Sequence, residues 1–227
     1  MMRKRIMLND KEAAMRIDIV FDAVCPWCFI GKHRIERALS MRPDVTPEIR
    51  WRPFLLNPEL PPGGIDRQAY LERKFGSNYR IQRIHAAALQ AGQGEGIAFN
   101  FDAIRRMPNS MNAHRLINFA GSHQSDIVEA LFQAYFVEAI DIGEIPNLIK
   151  IATAHGLSGH EVEEYLRSGA GILQVETENA RMHRLGVSGV PCYIFEEQYA
   201  IAGAQEPEII ARLLDIAREA QLETASR

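Results

Sequence analysis

The chain has 227 residues, of which 47% are hydrophobic and 24% are charged, and its formal net charge is −3. This composition is typical of a globular protein that buries a full core as one domain or as one domain with a large insertion. With its weakly acidic net charge, the chain shows no sign of the basic surface that nucleic acid requires. No apolar stretch approaches the length of a membrane span. We therefore expect neither nucleic acid nor a membrane among its partners.

Residues 1–15 are predicted to form a flexible N-terminal extension. Arg3 to Arg5 are similar to the charged start of a signal peptide, but Asn9 to Glu12 interrupt the pattern and no apolar run follows. The three cysteines, two of which share one motif, are too few for a disulfide framework. We therefore predict a cytoplasmic location, where the ambient thiol pool keeps dithiols mostly reduced.

The first predicted elements are a strand, a helix and a second strand. Arg16 to Phe21 alternate apolar and polar residues and are rich in β-branched side chains, which predicts a strand. The apolar spacing from Phe29 to Met41 predicts a helix that Pro43 stops. A second alternating segment, Thr46 to Phe54, predicts the strand that completes a right-handed βαβ unit.

The motif Cys25-Pro26-Trp27-Cys28 lies where the first strand passes into the helix. Pro26 falls at the first helical position, which suits its fixed φ and missing N–H. The free N–H groups of the first turn and the helix dipole stabilise a thiolate on Cys25. Cys28 lies about one turn later, close enough to form a disulfide with it. We therefore predict Cys25 as the nucleophile and Cys28 as the resolving thiol.

The candidate accessory residues are Asp22, His114 and Cys192, and two aromatic residues near the motif need an assignment as well. Asp22 precedes Cys25 by three residues. It either acts on the thiol, as a proton acceptor or through its negative charge, or is a solvated residue at the end of the strand. Trp27 is expected to be exposed and to form an apolar rim around the thiol. Phe54 is assigned to the core.

A linker from Leu56 to Gly64, rich in proline and glycine, precedes a stretch that is predicted to be helical as far as Gly186. The predicted helices cover 66–75, 78–91, 109–119, 125–140, 145–155, a helix that starts at 158, and 171–185. The glycine-rich run 92–96 predicts a loop, because it lacks the preceding strand and the following Lys or Ser of a phosphate-binding loop. His114, on one of these helices, is either substrate-facing or a histidine of the helix surface or core.

Strand character returns over 186–195, followed by a hairpin partner over 199–203 and a final amphipathic helix over 206–220. The strands at the two ends of the chain form one sheet only if they join across the helical stretch. Cys192 is either a buried apolar residue or a third thiol that scrambles disulfides or helps to hold a soft metal. We predict no metal site.

Taken together, these motifs resemble the thioredoxin superfamily. Cys25-Pro26-Trp27-Cys28 and the later Gly189-Val190-Pro191 carry that resemblance, and the long helical stretch between them resembles its DsbA branch. Several strings are similar to the cytosolic FrnE-like group of disulfide oxidoreductases, namely Cys28-Phe29-Ile30-Gly31-Lys32, Arg52-Pro53-Phe54-Leu55-Leu56-Asn57-Pro58, Asn112-Ala113-His114-Arg115-Leu116 and Gly186-Val187-Ser188-Gly189-Val190-Pro191. The resemblance covers residues 16–220.

The resemblance implies an α/β protein with a thioredoxin-like fold and a large all-helical insertion. Residues 16–62 and 187–221 would form the thioredoxin-like domain, and residues 63–186 the helical insertion subdomain. It also implies that Pro191 is cis and lies beside Cys25, so that Val190 and Pro191, together with Pro26 and Trp27, bind substrate. The implied partners are a disulfide-containing protein or small thiol and a recycling reductant or oxidant, with no bound cofactor and with glutathione as a candidate co-substrate.

Three functions compete on this pattern. The first is a thiol–disulfide oxidoreductase that reduces, forms or isomerises disulfides through Cys25 and Cys28. The second is a glutathione-dependent enzyme that resembles 2-hydroxychromene-2-carboxylate isomerase or the kappa-class glutathione transferases, which typically have Ser at the position of Cys25 and lack a resolving cysteine. The third is a soft-metal-binding protein that uses both cysteines and Cys192. The presence of both cysteines of the motif favours the first.

Overall fold

The computed structural model describes the backbone of residues 14–225 and the side chains of residues 14–223. The predicted flexible extension therefore lies outside the described residues, apart from its last two positions. Of these, Met15 is buried and already begins the first strand, and its N–H donates to the carbonyl of Thr46 at 2.8 Å.

Strands from both ends of the chain form one sheet. The described strands are β1 (Met15–Phe21), β2 (Pro47–Pro53), β3 (Ile65–Asp66), β4 (Arg106–Met107), β5 (Cys192–Phe195) and β6 (Tyr199–Ala202). The main sheet has four strands in the order β2-β1-β5-β6, in which β1 and β2 are parallel and β5 is antiparallel to both of its neighbours. The two ends of the chain therefore join through the direct pairing of β1 with β5.

Helices account for most of the chain between β2 and β5. The described helices are α1 (Pro26–Ser40), α2 (Arg67–Phe75), α3 (Asn78–Gly94), α4 (Met111–Phe119), α5 (Gln124–Phe136), α6 (Ile145–Ala154), α7 (Gly159–Arg167), α8 (Ile172–Arg184) and α9 (Pro207–Ala225). The first of them, α1, connects the parallel strands β1 and β2 and packs against α9. Within residues 14–225, no helix combines the length and apolarity needed to cross a membrane. The predicted fold class, a mixed sheet with a large helical insertion, is confirmed.

The two faces of the main sheet bury different clusters of side chains. Phe21 and Tyr193 belong to the large core that also contains the apolar side chains of α1. Val20 and Cys192, which pair across β1 and β5, belong to a smaller cluster on the other face. That smaller cluster also contains Phe54, Met182 and Val187. Because successive side chains of a strand point to opposite faces, Cys192 and Tyr193 lie on opposite sides of the sheet.

Two predicted details of the helical stretch are wrong. The helix α3 continues through Gly92 to Gly94, where the glycine run predicts a loop. The ring of Phe99 packs directly on Gly92, and a Cβ at this position would lie 2.4 Å from that ring, so a glycine is needed within the helix here. The helix α5 ends at Phe136, before the predicted end, because Ala139 adopts a positive φ of 58° that a helix does not allow.

The helical stretch also contains a short ladder that the sequence pattern does not predict. Strands β3 and β4 are antiparallel, with Ile65 opposite Met107 and Asp66 opposite Arg106. Each strand has only two residues, so alternation has no length over which to become visible. The insertion is therefore helical except for this ladder.

Candidate active site

The two cysteines of the motif lie at the N-terminus of α1. Cys25 is the N-cap residue, with an extended backbone (φ −99°, ψ 113°), and Pro26 occupies the first helical position. The Cys25 carbonyl accepts hydrogen bonds from the N–H groups of Cys28 at 3.0 Å and Phe29 at 3.3 Å. The Cys25 side chain makes no capping hydrogen bond. The positive end of the helix dipole therefore acts on a sulfur that no capping bond holds.

Both sulfurs of the motif are free thiols and almost fully covered. The exposed fractions are 6% for Cys25 and 2% for Cys28. Burial raises the pKa of Cys28 well above its usual value, and a hydrogen bond with Cys25 and the charge of that residue raise it further. Cys28 therefore holds its proton tightly, as a thiol that reacts second must.

The Val190–Pro191 segment lies against this end of α1. The peptide bond between the two residues is cis, and the Cys25 thiol donates a long hydrogen bond to the Val190 carbonyl at 3.8 Å. Pro191 is buried, whereas Val190, Pro26 and Trp27 are half-buried. Trp27 packs partly against the large core, so the expectation that it is exposed is only half correct. Of the residues predicted to bind substrate, Val190 therefore contacts the Cys25 sulfur, Pro191 follows it, and Pro26 and Trp27 lie in the first turn of α1.

Asp22 and His114 form a buried pair beside the resolving thiol. Asp22 has no exposed surface, so its interpretation as a solvated residue is wrong. Its carboxylate accepts hydrogen bonds from the N–H of Leu56 at 2.8 Å and of Val24 at 3.4 Å, and lies 3.3 Å from Nε2 of His114. His114 is therefore a hydrogen-bonded core histidine and does not face a substrate. The backbone of Asp22 lowers the pKa of Cys28, whereas its carboxylate charge adds to the rise that burial causes.

Cys192 lies on the sheet face opposite Tyr193, in the smaller apolar cluster. It is 6% exposed, and burial raises the pKa of its thiol. This environment supports its interpretation as a buried apolar residue. Among the described side chains, no group of three or more His, Cys, Asp or Glu residues is arranged to hold a metal ion, so the soft-metal alternative finds no ligand set there.

Gly31 and Tyr193 also lie at the site, although the sequence pattern does not identify either of them. A Cβ at Gly31 would lie 2.3 Å from the Tyr193 hydroxyl and 2.8 Å from Cγ of Pro191. The missing side chain therefore lets β5 and the cis-proline approach α1. Strand alternation predicts that Tyr193 and Cys192 face opposite ways, but it does not predict which of them faces α1.

A second group of charges holds α1 to the insertion. Lys32 lies 2.7 Å from one carboxylate oxygen of Glu129 on α5, and Nε2 of His33 lies 3.4 Å from the other. Burial alone would raise the pKa of Glu129, but hydrogen bonds with His33, Lys32 and Gln133 outweigh it and lower the pKa to about 2. The hydrogen bond with Glu129 in turn raises the pKa of His33. The helix that carries the thiols is thereby fixed to α5.

A mixed four-stranded sheet, a Cys-X-X-Cys pair at a helix N-terminus and a cis-proline facing that pair together define a thioredoxin-fold protein. The model of the DsbA-like thioredoxin domain family matches residues 16–215. The chain therefore belongs to the DsbA-like thioredoxin domain family.

Three similar proteins cover nearly the whole chain. The uncharacterized protein YwbO of Bacillus subtilis is 26% identical over 203 residues, which are 88% of this chain and 96% of YwbO. A probable DsbA oxidoreductase from Streptomyces coelicolor is 26% identical with a TM-score of 0.82, and the match covers 89% of both chains. The cytosolic disulfide reductase DsbM from Pseudomonas aeruginosa, solved with GSH, is 20% identical with a TM-score of 0.60 over 93% of this chain and 99% of DsbM, a likeness that concerns the fold alone.

Proposed function

We propose that the protein is a thiol–disulfide oxidoreductase in which Cys25 attacks and Cys28 resolves. The Cys25 thiolate attacks one sulfur of a substrate disulfide, so that a mixed disulfide forms and one substrate thiol leaves. The Cys28 sulfur then attacks Cys25, releases the second substrate thiol and leaves a Cys25–Cys28 disulfide, so that two electrons pass to the substrate. The reverse sequence forms a disulfide in a substrate dithiol.

The position of the Cys25 sulfur carries this proposal. It lies at the N-terminus of α1, 3.8 Å from the Val190 carbonyl, with a second thiol one helical turn away. The Cys25 sulfur lies at the positive end of the α1 dipole, while the raised pKa of Cys28 keeps the second thiol protonated until the mixed disulfide exists. An attacking and a resolving thiol need this asymmetry.

We propose that the buried Asp22–His114 pair accepts the proton of Cys28 during resolution. The Asp22 carboxylate is the acidic group that acts on the Cys28 thiol, and Nε2 of His114 lies 3.3 Å from one of its oxygens. The carboxylate takes the proton as Cys28 attacks and passes it to the departing substrate thiolate. Asp22→Asn should therefore slow the second step and spare the first.

We propose that the substrate lies across Val190, Pro191, Pro26 and Trp27. The Val190 carbonyl lies 3.8 Å from the Cys25 sulfur, and Pro26 and Trp27 follow Cys25 in the first turn of α1. All three residues are half-buried and would present apolar surface to a peptide or a small thiol. The substrate is a disulfide-containing protein or a small thiol disulfide. Backbone groups beside the cis-proline would pair with an extended peptide as an added strand.

We place this activity in the cytoplasm, with reduction as the net direction and glutathione as the recycling thiol. Two glutathione molecules would reduce the Cys25–Cys28 disulfide and leave as glutathione disulfide. The structural likeness to a reductase described as cytosolic and solved with GSH agrees with this assignment. A glutathione-dependent isomerase or transferase has less support, because it has no use for a buried resolving thiol beside the nucleophile.

The proposal is tested by turnover of a protein disulfide with glutathione as the reductant. We expect Cys25→Ser to abolish turnover and Cys28→Ser to accumulate a mixed disulfide that intact-mass spectrometry detects. Cys192→Ala is the matched control, since it removes a buried thiol on the other face of the sheet and should leave turnover unchanged. Near wild-type turnover in Cys25→Ser would refute the assignment.

Two further outcomes would support the competing functions instead. Conjugation of glutathione to an electrophile by Cys28→Ala would favour the isomerase or transferase. Stoichiometric zinc in the purified protein, whose chelation unfolds the chain, would favour a metal-binding role.

A further inference from the structure

The Tyr193 hydroxyl is a buried polar group that has no hydrogen-bond partner among the described residues. Tyr193 has no exposed surface, and within the described part of the chain nothing donates to or accepts from its hydroxyl. A buried hydroxyl without a partner costs about 1–3 kcal/mol relative to one that is paired. Phenylalanine would fill the same space without that cost, so this hydroxyl calls for an explanation.

The hydroxyl lies against the helix that carries the thiols. It would lie 2.3 Å from a Cβ at Gly31, which is three residues after Cys28 and on the same face of α1. Tyr193 also lies two residues after Pro191, whose ring contacts the same point of the helix. The hydroxyl is therefore enclosed between α1 and the cis-proline segment.

Of the ionisable groups, Cys28 has the largest effect on the pKa of this hydroxyl. Burial raises the pKa of Tyr193, and among charged groups a Cys28 thiolate contributes most to the rise. The other ionisable groups that act on the hydroxyl are Arg34, Cys192 and Cys25. The hydroxyl therefore keeps its proton and is available as a neutral donor to an anion.

The resolving step creates a demand for such a donor. When Cys28 attacks the mixed disulfide, negative charge develops on the sulfur of a residue that is only 2% exposed, and burial opposes that charge. Water does not reach a sulfur that is covered to this degree, so a fixed protein donor has to replace it. A donor that is unpaired in the dithiol state and paired only as charge develops lowers the barrier rather than the ground state.

We propose that the Tyr193 hydroxyl donates a hydrogen bond to the Cys28 sulfur as that sulfur loses its proton in the resolving step. This inference rests on the proposed function and adds a group that acts on its second step alone. No atom of Tyr193 is transferred. The proton of Cys28 leaves towards Asp22, the disulfide bond to the substrate breaks, and the Cys25–Cys28 bond forms.

The experiment follows both steps in one reaction of Tyr193→Phe. Reduced protein that carries Cys192→Ala reacts with an excess of an aromatic disulfide that releases a coloured thiolate. The first release reports attack by Cys25, and the second reports resolution by Cys28. At neutral pH we expect Tyr193→Phe to slow the second release about tenfold and to leave the first within about twofold, as for the loss of one hydrogen bond to a charged group.

The pH profile separates a lost donor from a loosened structure. Without the donor, the second release of Tyr193→Phe should reach its plateau about one pH unit higher than that of the parent. Tyr135→Phe is the matched control, because it removes the hydroxyl of another fully buried tyrosine, one that donates to the Arg106 carbonyl at 3.1 Å. It should leave both releases unchanged.

The outcomes distinguish this inference from the proposed function. If the first release is absent from the parent protein, the oxidoreductase assignment fails. If both releases occur but Tyr193→Phe matches the parent at every pH, or if Tyr135→Phe slows the second release equally, only the role of Tyr193 is overturned.

Discussion

Arg115 and Tyr193 are both buried polar side chains, but they differ in their hydrogen-bond partners. Arg115, on α4, is 2% exposed and its guanidinium donates to the C-terminal end of α7 and the following loop. Its acceptors are the carbonyls of Tyr165, Leu166, Ser168 and Ala170 and the side-chain oxygen of Asn112, at 2.7 to 3.0 Å. Tyr193, beside the thiols, has no such partner among the described residues.

The difference separates a structural group from a candidate functional one. A cation at a helix C-terminus, with its donors paired to carbonyls, offsets the cost of its own burial. Burial lowers the pKa of Arg115, but its interactions all lie within the insertion. The Tyr193 hydroxyl, in contrast, has no acceptor among the described residues in the dithiol state. We expect it to form its hydrogen bond in a later state of the reaction.

The largest expected effect is that of Arg115→Met. The change removes the cation and leaves the buried Leu166 carbonyl and three part-buried carbonyls without this donor, so we expect unfolding to become easier by about 3 kcal/mol. Chemical denaturation measures the loss. Arg167→Met is the control, since its exposed ion pair with Glu163 at 2.8 Å should contribute no more than about 0.5 kcal/mol. Equal effects of the two changes would remove the structural half of the contrast.

Gly31→Ala should have the next largest effect. The new Cβ would meet the Tyr193 hydroxyl and the Pro191 ring, and overpacking of this kind costs about 1–3 kcal/mol. Combining it with Tyr193→Phe should recover part of the loss, because the nearest clashing atom is then absent. Gly94→Ala, also in a helix but with nothing within 4 Å of its Cβ, should not destabilise the protein. Additive losses in the double variant would show that the hydroxyl does not lie against Gly31.

The Lys32–His33–Glu129 group should give the stability of the protein a pH dependence of about 1 kcal/mol. The pKa of Glu129 is lowered to about 2 from 4.5, so its stabilisation is present above 4.5 and is lost as the pH falls towards 2. The pKa of His33 is raised from 6.5, so its stabilisation is present below 6.5 and is lost as the pH rises through the raised value.

Thermal unfolding across pH should therefore show the largest advantage of the parent over Glu129→Gln between pH 4.5 and 6.5. A difference between the two proteins that stays constant from pH 2 to 9 would contradict the assignment. Glu163→Gln is a suitable control, because its ion pair is exposed and involves no histidine.

The smallest expected effect is on the stability of Tyr193→Phe. Removing a buried hydroxyl that has no partner should leave stability unchanged or raise it by up to about 1 kcal/mol. Tyr135→Phe should instead lower it by about 1 kcal/mol, because its hydroxyl is hydrogen-bonded to Arg106. Denaturant midpoints of the two variants measure the difference, and a clear loss in Tyr193→Phe would show that its hydroxyl has a partner in the dithiol state.

Local pattern predicts the elements well, and contact between distant residues explains the failures. The start of α1 follows from Pro26, because a proline fits only the first turn of a helix. Gly92 is needed inside α3 because Phe99 packs on it, and the local pattern carries no sign of that contact, so the glycine run is mistaken for a loop. The boundaries at 62/63 and 186/187 between the two predicted domains stay a prediction.

The candidate site divides in the same way. The two thiols and the Val190–Pro191 segment are recognisable as short strings, since their chemistry depends on spacing along the chain. The Asp22–His114 pair joins residues that are 92 positions apart, and the burial of both is not visible in either local pattern. The face that Cys192 takes follows from its pairing with Val20 across β1 and β5, which sequence alternation leaves open.

The sequence by itself determined the order of the main-sheet strands and of the helices, the dithiol at a helix start and the resemblance to a family. These depend on periodicity and on the conformational limits of proline and glycine, which act within a few residues. The tertiary structure alone decided that Asp22 meets His114, that Cys192 faces away from Tyr193, and that the Tyr193 hydroxyl lies unpaired beside α1. Burial and partnership are properties of how elements pack together, and packing joins residues that no local pattern relates.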